Sequence, residues 1–306
     1  MAQDLDAVEK YKQSPPKATD RVPSPSLPTF MLSQKEYELF KDLVFEQTGI
    51  SLGEKKKELV KTRLGKRLRA TGIPTFKDYY NYVTSSENGG NDELISLIDA
   101  ISTNKTSFFR ENEHFIFLRE AVIPEILNNS KKSGKKKIRV WSAGCSSGEE
   151  PYTLAIVFYE NIKNLSMWDL KILATDISTR MLENASAGVY RMETIQDVPL
   201  ALRRAHFQSG GGEMIGQCKV KKHLRDLIIF RRLNLMMPAY PFKGLFDFIF
   251  CRNVIIYFNK KTQAELMMKY HRYLKPGGYL FLGHSEGLTG ISSGLKYVKP
   301  SVYQKV

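Results

Sequence analysis

Residues Val140 to Glu150 read V-W-S-A-G-C-S-S-G-E-E. A short apolar run, Ile138–Trp141, enters a turn that holds Gly144 and Gly148, and a helix is predicted from about Glu149 to Asn161. Glycine lets the backbone turn tightly and lets a ligand approach it closely. The spacing is not G-x-G-x-x-G, which disfavours a nicotinamide dinucleotide. Two acidic residues at the start of the helix oppose a pyrophosphate there. They suit a ligand with hydroxyls or an ammonium. Taken alone, the stretch reads equally well as a structural turn.

The residues that follow keep the rhythm of strand and helix. A second apolar run, Leu170–Ala174, ends at Asp176 within I-L-A-T-D-I-S. An acid at the carboxyl end of such a strand accepts hydrogen bonds from ribose hydroxyls, or else it caps the next helix. Phe246–Cys251 is a third strand, Thr262–Leu274 a helix and Tyr279–Leu282 a fourth strand. The turn before that strand, L-K-P-G-G-Y-L, is structural and should not touch a substrate. Strands alternating with helices predict a doubly wound, mostly parallel α/β sheet. The stretch from about 187 to 235 breaks the alternation. Its Gly210–Gly211–Gly212 turn, with Cys218 and Val220 and then Leu227 and Ile229 alternating, predicts a small antiparallel insertion.

Upstream, the pattern is helical. Ser33 and Glu36 form a capping box, and Tyr37, Phe40, Leu43 and Val44 follow as one apolar stripe that Gly49 stops. A second helix covers roughly Glu54 to Ala70, with Leu59, Val60, Leu64 and Leu68 as its buried side. A third runs from Thr75 to about Val83 and a fourth starts at Asn91. Residues 30–103 thus read as an all-helical domain and 104–134 as a connector with one more helix, Glu113–Leu127, before a solvated basic run. Residues 135–306 form the α/β domain. Residues 1–29, with five prolines among Ser, Lys and Asp, read as a disordered tail.

Composition narrows the class. The 306 residues are 42% hydrophobic and 25% charged, as in ordinary globular domains. No apolar run approaches the ~18 residues of a membrane span. The start lacks a secretory h-region. Cys145, Cys218 and Cys251 have neither zinc nor disulfide spacing, so a reducing, cytoplasmic setting is expected. The net charge of +14 favours a polyanionic partner.

Together, the three turn motifs at these spacings resemble class I methyltransferases that use S-adenosylmethionine. N-K-T-S-F-F-R (Asn104–Arg110), W-S-A-G-C-S-S-G-E-E-P-Y, the stretch around R-R-L-N-L (Arg231–Leu235) and F-D-F-I-F-C-R-N-V-I-I-Y-F (Phe246–Phe258) are similar to the chemotaxis receptor methyltransferases of the CheR family. The resemblance covers about residues 30–304. It implies methyl transfer from S-adenosylmethionine to glutamate side chains of a chemoreceptor, leaving methyl esters that tune receptor signalling. It also implies cofactor contacts at Asn104, Thr106, Arg110, Gly144, Glu150 and its neighbour Glu149, Asp176, Asn234, Leu235, Arg252 and Asn253. Arg110 and Tyr257 match positions beside the transferred methyl. The chain departs from the family at Gly144–Cys145, where relatives often carry alanines. A glutamate carboxylate has an ordinary pKa near 4.3 and is ionised at neutral pH, so the reaction needs no general base. No metal is implied.

Other readings of these residues stay open in the sequence. Arg110 could be an ion-pair partner, Tyr257 plain core beside Ile255, Ile256 and Phe258, and Asn253 a turn cap. The five histidines have no metal spacing; His284 sits after the last long strand, near a site rim. Cys251, followed by Arg, is a poor nucleophile. The second helix carries eight basic residues against Glu54 and Glu58, either a solvated face or a docking surface. The resemblance favours docking of the receptor's glutamate-rich helices at Arg63, Arg67 and Arg69. It also allows a receptor C-terminal peptide to add a strand to the insertion. A non-catalytic module that binds the cofactor or its demethylated product is the alternative. A nucleic-acid methyltransferase is disfavoured, because C-R-N-V stands where amino-methylating enzymes carry a polar-Pro-Pro-aromatic motif. A monomer without membrane insertion is expected.

Overall fold

The computed structural model describes residues 30–85 and 90–306; the expected tail, 1–29, lies outside them. Four helices come first: α1 (Gln34–Thr48), α2 (Lys57–Thr71), α3 (Phe76–Thr84) and α4 (Gly90–Ile101). Ser33 and Glu36 close the capping box reciprocally, and Gly49 ends α1 in the left-handed region. Val60, Leu64 and Leu68 recur at helical spacing on α2 and are fully buried, each contributing about 1.5–3 kcal/mol. Leu59 does not join them. It is 37% exposed and faces the cleft described below.

The connecting helix starts as α5 (Glu113–Phe117), widens into a π-type turn over Leu118–Val122 and continues as α6 (Ile123–Ser133). Pro124 has no N–H to return to the preceding turn, and the widened turn sits just ahead of it. The helix runs past the expected end at Leu127. Lys131 and Lys132 therefore lie in its last turn, where a cation suits the helix dipole.

The α/β unit has ten strands: β1 (Lys137–Ala143), β2 (Asp169–Asp176), β3 (Val189–Arg191), β4 (Phe207–Ser209), β5 (Gln217–Val220), β6 (Ile228–Arg232), β7 (Phe246–Cys251), β8 (Leu274–Leu282), β9 (Leu295–Lys299) and β10 (Val302–Lys305). Between them run α7 (Glu149–Asn161), α8 (Thr179–Ala187), α9 (Leu200–His206), α10 (Lys222–Arg225) and α11 (Lys260–Tyr273). The main sheet has the order β6-β2-β1-β7-β8-β10-β9. Its first five strands are parallel, and β10 and β9 close one edge antiparallel. Strand order reverses between β1 and β7, the point where such sheets hold ligands at their carboxyl ends.

Two parts of the sheet differ from expectation. The insertion is a three-stranded antiparallel sheet, β3-β5-β4, but Leu227 and Ile229 do not belong to it. Ile228–Arg232 returns to the main sheet and pairs parallel with Ile172–Asp176. A short apolar run has no mark of which sheet it joins. The β9–β10 hairpin escaped the sequence because Leu295–Lys299, L-K-Y-V-K, lacks strict alternation and buries no face at its exposed edge. The K-P-G-G step bulges: Phe246 pairs with Leu274 but Phe248 with Tyr279. Trp141 is fully buried among Tyr240, Phe242, Phe246 and Tyr270, and its indole N–H donates to Thr175 Oγ1 at 2.8 Å.

Candidate active site

A cleft of about 1230 Å³, open to solvent, lies outside the carboxyl ends of β1, β2, β6 and β7. Its far wall comes from the helical domain, through Thr48, Ile50, Lys56, Leu59 and Ile101, and its side from the connector, Asn104 to Arg110. The two parts are pinned together at this point. Ser51 N–H donates to Tyr257 O at 2.8 Å, and Asn234 Nδ2 donates to Gln47 O at 2.6 Å.

The β1 turn forms the floor. Gly144 has φ +85°, and a side chain there would meet Val254 Cγ2 at 2.4 Å, so only glycine fits. The N–H groups of Gly144 and Cys145 both donate to Thr175 O, which ties the turn to β2. Asp176 Oδ2 accepts from Ser146 N–H at 2.8 Å and Oδ1 from Ser178 N–H at 2.9 Å. Each oxygen can still accept another donor. Burial pushes this carboxyl up, and the backbone N–H bonds oppose the shift. Asp176 is not the cap of α8; Ser178 is, accepting from Met181 N–H.

A charged network stands beside this floor. Glu150 accepts from Ser142 Oγ at 2.7 Å and pairs with Arg252 Nη1 at 3.3 Å. Arg252 is buried over the Phe115 ring and also meets Glu111 and the carbonyl of Arg110. Its two terminal nitrogens thus hold Glu150, Glu111 and the Arg110 carbonyl in place, while its buried Nε has no partner among the described residues. Burial raises the Glu150 carboxyl, and the Arg252 charge lowers it. Glu111 is pushed up by burial, but the Asn253 amide and Arg252 hold it below the usual carboxylate range.

Backbone strain gathers here. Phe109 and Glu111, either side of Arg110, both have φ +53°, Ser146 has +48° and Asn253 +58°. For a bulky residue such as Phe109 this region is a genuine outlier. Strain of this kind persists where surrounding structure enforces it, often at functional sites.

The structure brings Asn104, Thr106, Arg110, Gly144, Glu150, Asp176, Asn234, Leu235, Arg252, Asn253 and Tyr257 to one cleft. Glu149 is the exception. One step along α7 rotates it into the interior, where Ser147 Oγ donates to it at 2.7 Å. Tyr257 is not core: its ring faces the cleft with Lys56 Nζ 5.3 Å away. The Asn234 amide is largely committed, to Gln47 O and Met236 N–H.

On α2, Arg63 donates to the carbonyls of Ile101 and Ser102, and Arg67 makes a two-pronged pair with buried Glu93. Both have inward partners, whereas Lys66 and Arg69 are exposed. The sequence reading missed Lys56, Glu111 and Glu286. Glu111 directly follows Arg110, and a carboxylate next to that motif was the available signal; Glu286 closes a G-H-S-E turn after β8, away from every motif, and carried none.

Among the described residues, Glu111, His114 and His284 place possible ligand atoms within 4.8 Å of one another. Glu111, however, is already engaged by Asn253, Arg252 and the His284 N–H. Burial beside Arg252 lowers His114 to about 3, which leaves it neutral. The three cysteines are buried with raised pKa, ill suited to nucleophilic work.

Two family models match this chain: the CheR methyltransferase all-alpha domain over residues 35–102, and the CheR methyltransferase SAM binding domain over residues 104–303. The chain belongs to the CheR methyltransferase family. It is 42% identical to the chemotaxis protein methyltransferase of Borreliella burgdorferi, over 86% of this chain and 91% of that one. It is 35% identical to the Escherichia coli protein of the same name, over 89% and 91%. As a CheR methyltransferase the chain is an S-adenosylmethionine-dependent enzyme. No helix among the described residues is long and apolar enough to cross a membrane.

Proposed function

We propose that this enzyme transfers the methyl group of S-adenosylmethionine to glutamate carboxylates of chemotaxis receptors and so tunes their signalling. The observation that carries the reading is the division of charge in the cleft. Glu150 and Asp176 line the strand ends, and Arg110, Lys56 and the Tyr257 hydroxyl line the remaining walls. The donor set fits the cofactor. Glu150 suits an ammonium, and Asp176, with acceptor capacity left on both oxygens, suits ribose hydroxyls. Asn104, Thr106, Leu235 and Asn253 complete its surroundings.

S-adenosylmethionine supplies, when bound, a methyl carbon on a cationic sulfur. The residues of this chain do the rest by position. Arg110 orients a carboxylate, and the Tyr257 hydroxyl donates one hydrogen bond beside the acceptor. The wall from the helical domain excludes water, which otherwise stabilises separated charges more than their neutralised product. In-line placement of the reactants contributes roughly 7–11 kcal/mol. The acceptor is already ionised at neutral pH and needs no general base.

The receptor's acidic helices dock on the basic face of α2, with Lys66 and Arg69 as its exposed charges, Arg69 resting over the Phe30 ring, and Arg63 and Arg67 behind them. The edges of the β3-β5-β4 sheet suit strand addition by a receptor C-terminal peptide. The enzyme acts on the cytoplasmic part of the receptor. Incubation of a receptor signalling fragment with methyl-labelled S-adenosylmethionine tests the assignment. Base-labile label on the fragment is expected, and loss of that label when the target glutamates are glutamines. Label that resists base would point to nitrogen methylation and overturn it.

A further inference from the structure

Glu286 lies outside every motif that carried the family resemblance, yet its carboxylate is buried and bound by backbone donors only. Oε2 accepts N–H bonds from Gly283 at 2.6 Å and Asn253 at 2.9 Å; Oε1 accepts from Ile256 at 3.2 Å. A buried carboxylate is costly unless such donors satisfy it. Burial pushes the carboxyl up, and backbone N–H groups oppose the shift.

The donors come from two places. Asn253 and Ile256 belong to the segment that leaves β7, and Gly283 to the turn that leaves β8, its neighbour in the sheet. One carboxylate therefore joins two adjacent strand ends. The first segment carries Arg252, Asn253 and Tyr257, and Asn253 is held at φ +58°. Space for the clamp is made by Gly283. A side chain there would sit 2.7 Å from Asn253 Nδ2, 2.8 Å from Glu286 Oε2 and 2.9 Å from Asn253 N.

We infer that Glu286 is a positioning residue for methyl transfer, its carboxylate clamping residues 252–257 so that Asn253 and Tyr257 keep their places in the cleft. The inference rests on the assignment of those two residues to the cofactor and the methyl acceptor.

The test uses the full chain with Glu286→Gln, Gly283→Ala, the pair together, and Tyr303→Phe. Tyr303 accepts Leu288 N–H in the same loop at 3.1 Å but does not touch the clamp. Titration with S-adenosylhomocysteine, steady-state transfer to a receptor fragment, and thermal midpoints are measured. Glu286→Gln is expected to weaken S-adenosylhomocysteine at least tenfold and to lower kcat at least tenfold, with receptor KM within twofold. Gly283→Ala should do the same, and the pair should be no worse than the more severe single variant, as for residues acting through one contact. Tyr303→Phe should lower the midpoint and leave both constants alone.

Unchanged binding and kcat in Glu286→Gln overturn the clamp. So does the same kinetic loss in Tyr303→Phe, which would mark a general loosening. Where Glu286→Gln does not fold, Glu286→Asp, which withdraws the oxygens by one methylene, is read in its place. Asp176→Ala separates the two levels. Should it lose binding while Glu286→Gln keeps it, only the clamp falls; should Asp176→Ala keep binding, the cleft assignment falls and the clamp with it.

Discussion

The strand ends and the α2 helix both supply charged residues near the cleft, but the fold treats them differently. At the strand ends, charge follows the backbone. Asp176 and Glu150 stand where β2 ends and α7 begins, and the backbone and a buried arginine hold them there. On α2, six basic residues share about four turns of helix with no such constraint. Packing sorts them afterwards: Arg63 and Arg67 turn to internal partners, and Lys66 and Arg69 stay in solvent. A charged residue at the end of a strand is placed by its motif; a charged residue on a helix is placed by what packs on it.

The largest expected effect would break this contrast at the strand ends. Glu150→Ala removes the cleft's second carboxylate and one partner of buried Arg252, and should weaken S-adenosylhomocysteine about 100-fold, or roughly 2.7 kcal/mol. Calorimetric titration checks it. Next, Arg67→Glu should destabilise the helical domain by about 2–3 kcal/mol, because it sets a charge against Glu93, whose side chain is 9% exposed. Denaturant unfolding measures this. An unchanged midpoint would return Arg67 to the docking face.

A pH effect comes third and belongs to the strand-end side. His114 has a folded pKa of about 3 against an ordinary 6.5. As pH falls below 6.5 the unfolded chain takes up a proton that the folded chain refuses. Stability from this group is complete above that range and drains away towards pH 3, by about 1.4 kcal/mol at pH 5.5. His114→Leu should flatten that part of the stability profile in unfolding at pH 7.5 and 5.5. The smallest effect is on α2. Arg69→Glu should raise receptor KM about fivefold, roughly 1 kcal/mol, with cofactor affinity and thermal midpoint unchanged. Loss of all three together would make Arg69 structural.

The same distinction explains what the sequence made legible. The strands with their Gly turns, the helical domain and the acids at Asp176 and the start of α7 could be read because each is set by local chemistry, as in the capping box at Ser33 and the run into Gly144; the other cleft residues came from the family resemblance. The choice between Glu149 and Glu150 could not be read, since it depends on one 100° step about α7 and on Ser147 waiting inside. Nor could Glu286, whose partners lie 30 and 33 residues back in the chain at Ile256 and Asn253. Ile228–Arg232 returned to the main sheet for a similar reason: an apolar run is chosen by the edge it meets. Leu59 sits one 100° step from Val60, outside the stripe of Val60, Leu64 and Leu68, and so faces the cleft.

The central claim is that the cofactor is held by the carboxylates at the strand ends. Titration of the wild type, Asp176→Ala and Glu149→Ala with S-adenosylhomocysteine tests it most directly. Micromolar binding by the wild type and Glu149→Ala, with none by Asp176→Ala, is the predicted result. Equal binding by wild type and Asp176→Ala would contradict it.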